Sequence, residues 1–309
     1  MILNTGSRTD IPAFYSEWFC RRVAAGEVLV RSPYAADQVL RYRIDPAVVD
    51  LITFCTKNPR PMLPRLPELS VFRQLWYVTI TPYGKDIEPN VPPWEEVCAS
   101  VRELSRQVGP RAVIWRYDPI LLTGRYTADF HEEAFERMAA ALEGSTQRVV
   151  ISFLDLYEKT KKNFPEGREV PRDIRLKLGE AIAASATRHG MKVHTCLEGE
   201  ELAPFGIDTT GCMTKQVVEE VLGEELAVPK SLPAAREGCR CLLGADIGAY
   251  NTCRHFCRYC YANADREAVA ANAARHDPAS PMLVGSLLPG DTIRDARQEK
   301  WCTGQLVLW

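Results

Sequence analysis

Ala112-Val-Ile-Trp-Arg116, a helical stripe at Phe135, Met138, Ala139 and Leu142 closed by Gly144, and then Val149-Val-Ile-Ser-Phe153 together spell one βα unit. The apolar runs at its ends are short and β-rich, while the stripe between them recurs at steps of three and four. Such alternation marks βα units and a parallel sheet. Outward from this unit, further strands are expected over residues 1–4, 28–31, 51–54, 76–81 and 192–197, with a weaker one ending at Ile247. Helical stripes fall at Val97, Val101, Leu104 and Val108 before Gly109, and at Ile174, Leu178 and Ile182 before Gly190. A last one, Val217, Val218, Val221 and Leu222, starts after Thr214 as N-cap and ends at Gly223.

Eight strands alternating with helices predict an α/β protein with a (β/α)8, TIM-barrel-like fold. A single domain over 1–309 is expected, with βα units over 1–222, the last strand and a cysteine-rich loop over 223–275, and a wrapping tail over 276–309. Barrels of this kind build their sites at the C-terminal ends of strands. Polar groups stand there repeatedly: Arg8 and Asp10, Lys57 and Asn58, Thr79 and Thr81, Arg116 and Asp118, Asp155, His194 with Cys196 and Glu198, and Asp246. Arg8, Asp10, Lys57, Arg116, Asp118 and Glu198 are the candidate catalytic groups. Any one of them reads equally well as a solvated loop residue or an ion-pair partner.

With 309 residues, 46% of them hydrophobic, the chain can bury a large core. A formal net charge of -2 argues against a general nucleic-acid-coating protein. The first residues hold no apolar run long enough for a signal peptide or a membrane span, so a cytoplasmic location is expected. Eleven cysteines are then expected as reduced thiols, clustered ones as metal ligands. Cys20, Cys55 and Cys98 are solitary and read as small buried hydrophobes.

The stretch Cys253-Arg-His-Phe-Cys257-Arg-Tyr-Cys260 is different, with three thiols on one short segment and no fourth until Cys302. Thiolates suit iron-sulfur clusters, zinc or copper(I). This C-x3-C-x-aromatic-C pattern resembles the signature of radical S-adenosylmethionine enzymes. The resemblance implies a 4Fe-4S cluster held by Cys253, Cys257 and Cys260, with the open iron chelating S-adenosylmethionine, and a low-potential electron donor as partner. The wider pattern resembles the domain of unknown function 1848 family. It includes Asp246-Ile-Gly-Ala-Tyr-Asn-Thr-Cys253, Ser7-Arg-Thr-Asp-Ile-Pro12, Thr56-Lys-Asn-Pro59 and Trp115-Arg-Tyr-Asp-Pro119. That family's activity is not established. In the radical superfamily the cysteine loop follows the first strand, whereas here it follows the last, which implies a circularly permuted barrel. By the same resemblance Ser7, Asp246 and Tyr259 are cofactor-binding candidates, although the superfamily's glycine-glycine-glutamate signature is absent.

Cys239-x-Cys241, Cys212 and Cys196 supply enough soft ligands for a second zinc or iron-sulfur centre. A rival reading makes the motif a metal-stapled, nucleic-acid-binding module. In it Arg254, His255, Phe256, Arg258, Tyr259 and Tyr261 interleave basic and aromatic groups, with Lys159, Lys161 and Lys162 as a phosphate strip. In a further variant Cys241 or Cys302 completes a purely structural cluster. Nucleic acid is also a candidate substrate of a radical enzyme.

Overall fold

The computed structural model describes residues 1–230, 232 and 237–307. Its strands are β1 (Ile2–Asn4), β2 (Glu27–Arg31), β3 (Gln38–Arg43), β4 (Leu51–Thr56), β5 (Gln74–Thr79), β6 (Val113–Ile120), β7 (Arg148–Phe153), β8 (Lys192–Thr195), β9 (Glu224–Leu226), β10 (Ala245–Asp246), β11 (Thr292–Asp295) and β12 (Cys302–Leu306). The α-helices are α1 (Ile11–Phe14), α2 (Ser16–Ala25), α3 (Trp94–Val108), α4 (Ala128–Leu142), α5 (Glu158–Asn163), α6 (Arg172–Arg188), α7 (Lys215–Leu222) and α8 (Arg266–Ala274).

Seven strands form one parallel sheet in the order β10-β1-β4-β5-β6-β7-β8. Its inner strands are apolar because they are covered: β7 is buried throughout, and α6 packs against the neighbouring β8 and against α4. Aromatic rings tie these elements together: Phe54 of β4 stacks on Trp76 of the adjacent β5 at 4.0 Å, and Trp115 of β6 on Phe135 of α4 at 4.6 Å. Thr127 and Thr214 cap α4 and α7 by accepting from the Phe130 and Val217 amides.

Two features depart from the eight-strand expectation. The strand predicted over 28–31 forms, but in a separate three-stranded sheet ordered β11-β3-β2. The cause is local: α2 ends at left-handed Gly26 (φ 73°), the chain enters β2 at once, and β3 returns antiparallel beside it, Leu29 opposite Arg41. The main sheet is also not closed as a barrel, since β8 and β10 do not pair. Irregular chain fills this seam. Asp208 donates its N–H to Val193 O (2.9 Å) and accepts from Thr195 N (2.9 Å), and Leu242 N donates to Met213 O (2.8 Å). Gly211, at φ 136°, breaks any strand between them.

The last residues of the described chain pair with earlier strands. β12 pairs antiparallel with β9, β11 pairs parallel with β3, and Asp50 accepts from the Trp301 and Cys302 amides at 2.7 and 3.2 Å. Among the described residues, no helix is long and apolar enough to cross a membrane.

Candidate metal centre

The weak strand β10 positions the cysteine loop. It pairs parallel with β1, Leu3 opposite Ala245, so the loop leaves the C-terminal rim of the sheet beside the turn that follows β1. Two non-glycine residues of this loop are left-handed, Asn251 (φ 57°) and Phe256 (φ 56°). Asparagine tolerates that region, but for Phe256 it costs on the order of 1–3 kcal/mol, so the surroundings must hold the loop in place.

They do so through buried polar contacts. His255 lies between the first two thiols, 2% exposed, and its Nε2 meets Asp10 Oδ2 at 2.8 Å. Asp10 also accepts from the Ala13 and Lys57 amides, at 2.9 and 2.8 Å, so one carboxylate ties the turn after β1, the turn after β4 and the cysteine loop together. On the far side the Tyr259 hydroxyl donates to Glu88 Oε1, which also accepts from Lys57 Nζ (2.9 Å) and Thr81 Oγ1 (2.7 Å). Arg258 makes a forked pair with Glu166 at 2.5 and 2.8 Å. Tyr15 donates to Thr252 O at 2.7 Å, and Asn263 Nδ2 to Cys253 O at 2.7 Å.

The thiols are sheltered. Burial raises Cys253 and Cys257 above the usual thiol range. The Ala262 amide donates to Cys260 Sγ at 3.3 Å. Burial pulls the Lys57 ammonium down, but Glu88, with Cys257 and Asp118, raises it above its ordinary value. Among the described residues, no three His, Cys, Asp or Glu side chains stand arranged to hold one metal ion. A 4Fe-4S cluster asks for a different geometry, because each cysteine binds its own iron and the sulfurs do not converge on a point.

The other candidates distribute around the same rim. Asp246 accepts from the Ser7 amide (2.9 Å) and the Gly248 amide (2.6 Å), and Arg8 bonds the Asp246 carbonyl. Arg116 forks onto Asp118. Glu198 accepts from Ser152 Oγ (2.7 Å) and the Phe153 amide (2.9 Å), and burial raises its carboxyl. Tyr259 packs beside Tyr83 and under Lys57, whose Nζ lies 5.6 Å from its ring centre. Of the interleaved basic and aromatic groups, His255 and Tyr259 thus turn inward, while Tyr261 stays exposed and donates to Ser7 O at 2.6 Å. Of the lysine strip, Lys161 pairs with Glu158 and Lys159 lies over Tyr250. Cys302 sits at the opposite end of the sheet, beside Asp50 and Arg73 before β4 and β5, and cannot reach the loop. Glu88 was not among the sequence candidates and His255 had a different role there; the available signal was the pair of acids Asp86 and Glu88 in the proline-rich run 82–93.

Cys196, Cys212, Cys239 and Cys241 form a second group. The Cys212 and Cys241 sulfurs are 3.4 Å apart, and the neighbouring Cys212 together with burial pushes the Cys196 thiol up.

A family model described as a domain of unknown function, DUF1848, matches residues 2–262. The chain belongs to the DUF1848 family. The DUF1848 match takes in the whole seven-stranded sheet and all three thiols of the loop, and leaves α8, β11 and β12 outside. No curated protein matches the chain.

Proposed function

We propose that this DUF1848 protein is an iron-sulfur enzyme of the radical S-adenosylmethionine type, with Cys253, Cys257 and Cys260 as cluster ligands. One observation carries the reading: the three-thiol loop rises from a strand paired with β1, on the rim where Asp10, Lys57, Arg116 and Glu198 also stand. The β10–β1 pairing supports a circularly permuted barrel, in which β10 takes the place of the usual first strand. When reduced, such a cluster supplies the electron that starts radical chemistry on S-adenosylmethionine. The chain's own part is to hold and shield. Asp10 fixes His255, and Glu88 fixes Tyr259, so each half of the loop is pinned by a buried carboxylate. Ile87, Leu121, Tyr126, Leu154 and Phe164 form an apolar wall beside Tyr259 that keeps water from this side of the rim. Lys57 and Arg116 place positive charge there, each balanced by one acid.

The test is anaerobic reconstitution with iron and sulfide, chemical reduction in place of the cytoplasmic low-potential donor, and chromatography for 5′-deoxyadenosine. The expected result is about four irons per chain at the loop and release of 5′-deoxyadenosine from S-adenosylmethionine. A cluster that forms and reduces but releases none, with and without nucleic acid as trial substrate, would rule out the catalytic reading.

A further inference from the structure

We propose that the cavity between α6, α7 and the edge strand β8 binds a small organic monocarboxylate, its anionic head held by Arg148 and His194. The site lies at the end of the sheet where β7 and β8 begin, opposite the rim that carries the cysteine loop, and does not depend on the iron-sulfur reading.

The cavity measures about 480 Å³, the size of a small-molecule site. Strand register delivers its basic groups. Arg148 of β7 stands opposite Lys192 of β8, and Val150 opposite His194, so Arg148, Lys192 and His194 project from one face of the sheet. Asp208, from the irregular chain beside β8, and Glu220, from α7, complete the charged lining.

Two of these groups have donors to spare. The Arg148 and His194 side chains are each only 7% exposed. Yet Arg148 Nε and Nη1 and both ring nitrogens of His194 have no hydrogen-bond partner among the described residues. Arg148 engages only Nη2, on Glu220, and the His194 ring stands 3.4 Å from Asp208 Oδ2 without a hydrogen bond. Buried donors ordinarily have an acceptor, and a carboxylate head brings two oxygens, bonded with charge assistance at the guanidinium. Burial holds His194 below its ordinary value, so the neutral ring offers one N–H to the same head.

The two acids of the lining are already engaged. Glu220 also accepts from Gln216 Nε2 at 3.1 Å, and Asp208 Oδ1 accepts from the Thr210 amide and hydroxyl at 2.8 and 2.6 Å. Charge then selects the ligand. Arg111 lies within electrostatic reach of Arg148, and Lys192 of His194, so Arg111, Arg148 and Lys192 stand against Asp208 and Glu220. One negative charge balances that set, whereas a dianion overshoots it. Ala183, Met191, Val193, Phe205 and Val217 line the remainder and suit a hydrocarbon body, which inorganic phosphate lacks.

The experiment titrates the full chain with hexanoate by calorimetry, beside hexanamide, its neutral counterpart of equal length, and inorganic phosphate. Hexanoate should saturate at one per chain with Kd on the order of 1 mM or tighter. Hexanamide and phosphate should each bind at least about tenfold more weakly. Arg148→Lys keeps the charge but loses the planar donors, and should weaken hexanoate at least about tenfold. Should that variant not fold, Arg148→Met with Glu220→Met removes both members of the pair and should abolish binding. A crystal structure of the unaltered chain with hexanoate should place the carboxylate on Arg148. Absence of saturable binding, hexanamide or phosphate binding as tightly as hexanoate, undiminished binding in the folded Arg148 variant, or a carboxylate seated elsewhere overturns the proposal.

Discussion

Glu88→Ala should lower the stability of the folded chain by about 3–5 kcal/mol, read as a fall in urea midpoint, because it strands a buried cation. Glu88 is 2% exposed, and its Oε1 alone accepts from Lys57, Thr81 and Tyr259. Without it the Lys57 ammonium keeps the Thr81 hydroxyl at 3.4 Å and the more distant field of Asp118, in a pocket that water does not reach freely. Glu88→Gln keeps the shape and an acceptor but loses the charge, so its midpoint should lie between the other two. A loss under about 1 kcal/mol for the alanine variant would mean that the pair is solvated and behaves like a surface ion pair. The same substitution frees the Tyr259 hydroxyl, so the hydrogen exchange of the 257–260 amides should quicken.

Cys257→Ser should abolish the low-potential cluster signal in electron paramagnetic resonance after reconstitution, whereas Cys98→Ser should leave it intact. The contrast follows from position. Cys257 is the buried middle thiol of the loop, and its neighbours Lys57 and Tyr259 are fixed by Glu88. Cys98 is as well buried, but on α3, where it packs among Val97, Val101 and Leu104 with no other thiol near. Serine is nearly isosteric with cysteine but a harder, more weakly binding ligand, so the loss reports ligation rather than packing. Equal signals from the two variants would remove Cys257 from the ligand set.

Most main-sheet strands were legible because burial on both faces leaves a largely apolar run, as in the wholly buried β7, while the half-buried dipeptide β10 left only a weak signal. Which sheet a strand joins is not written in that run: residues 27–31 look like the others, yet pair with β3, in a sheet completed by β11, because of where Gly26 turns the chain. β3 and β11 themselves, Gln-Val-Leu-Arg-Tyr-Arg and the wholly exposed Thr-Ile-Arg-Asp, carry too much charge to stand out. At the site, the thiol spacing is local and therefore readable, as are polar residues just beyond strands. That Asp10 grips His255 from 245 positions away, or that one oxygen of Glu88 holds Tyr259, is a property of the assembled rim and has no local signature. The seam thiols Cys196, Cys212 and Cys241 could be grouped by residue type, but that they meet where the sheet stays open has no local signature.

The pairing of β1 with β10 also sets a timetable. During synthesis Leu3 emerges at the outset, but its partner Ala245 does not exist until most of the chain has been made. At about 5–20 residues per second the gap is roughly 10–50 s. Throughout that interval the inner edge of β1 has β4 on one side and no strand on the other, and the cysteines of the loop have not yet left the ribosome. On the proposed reading, the three thiols become available only after β10 has been made, so cluster loading would follow completion of the main sheet.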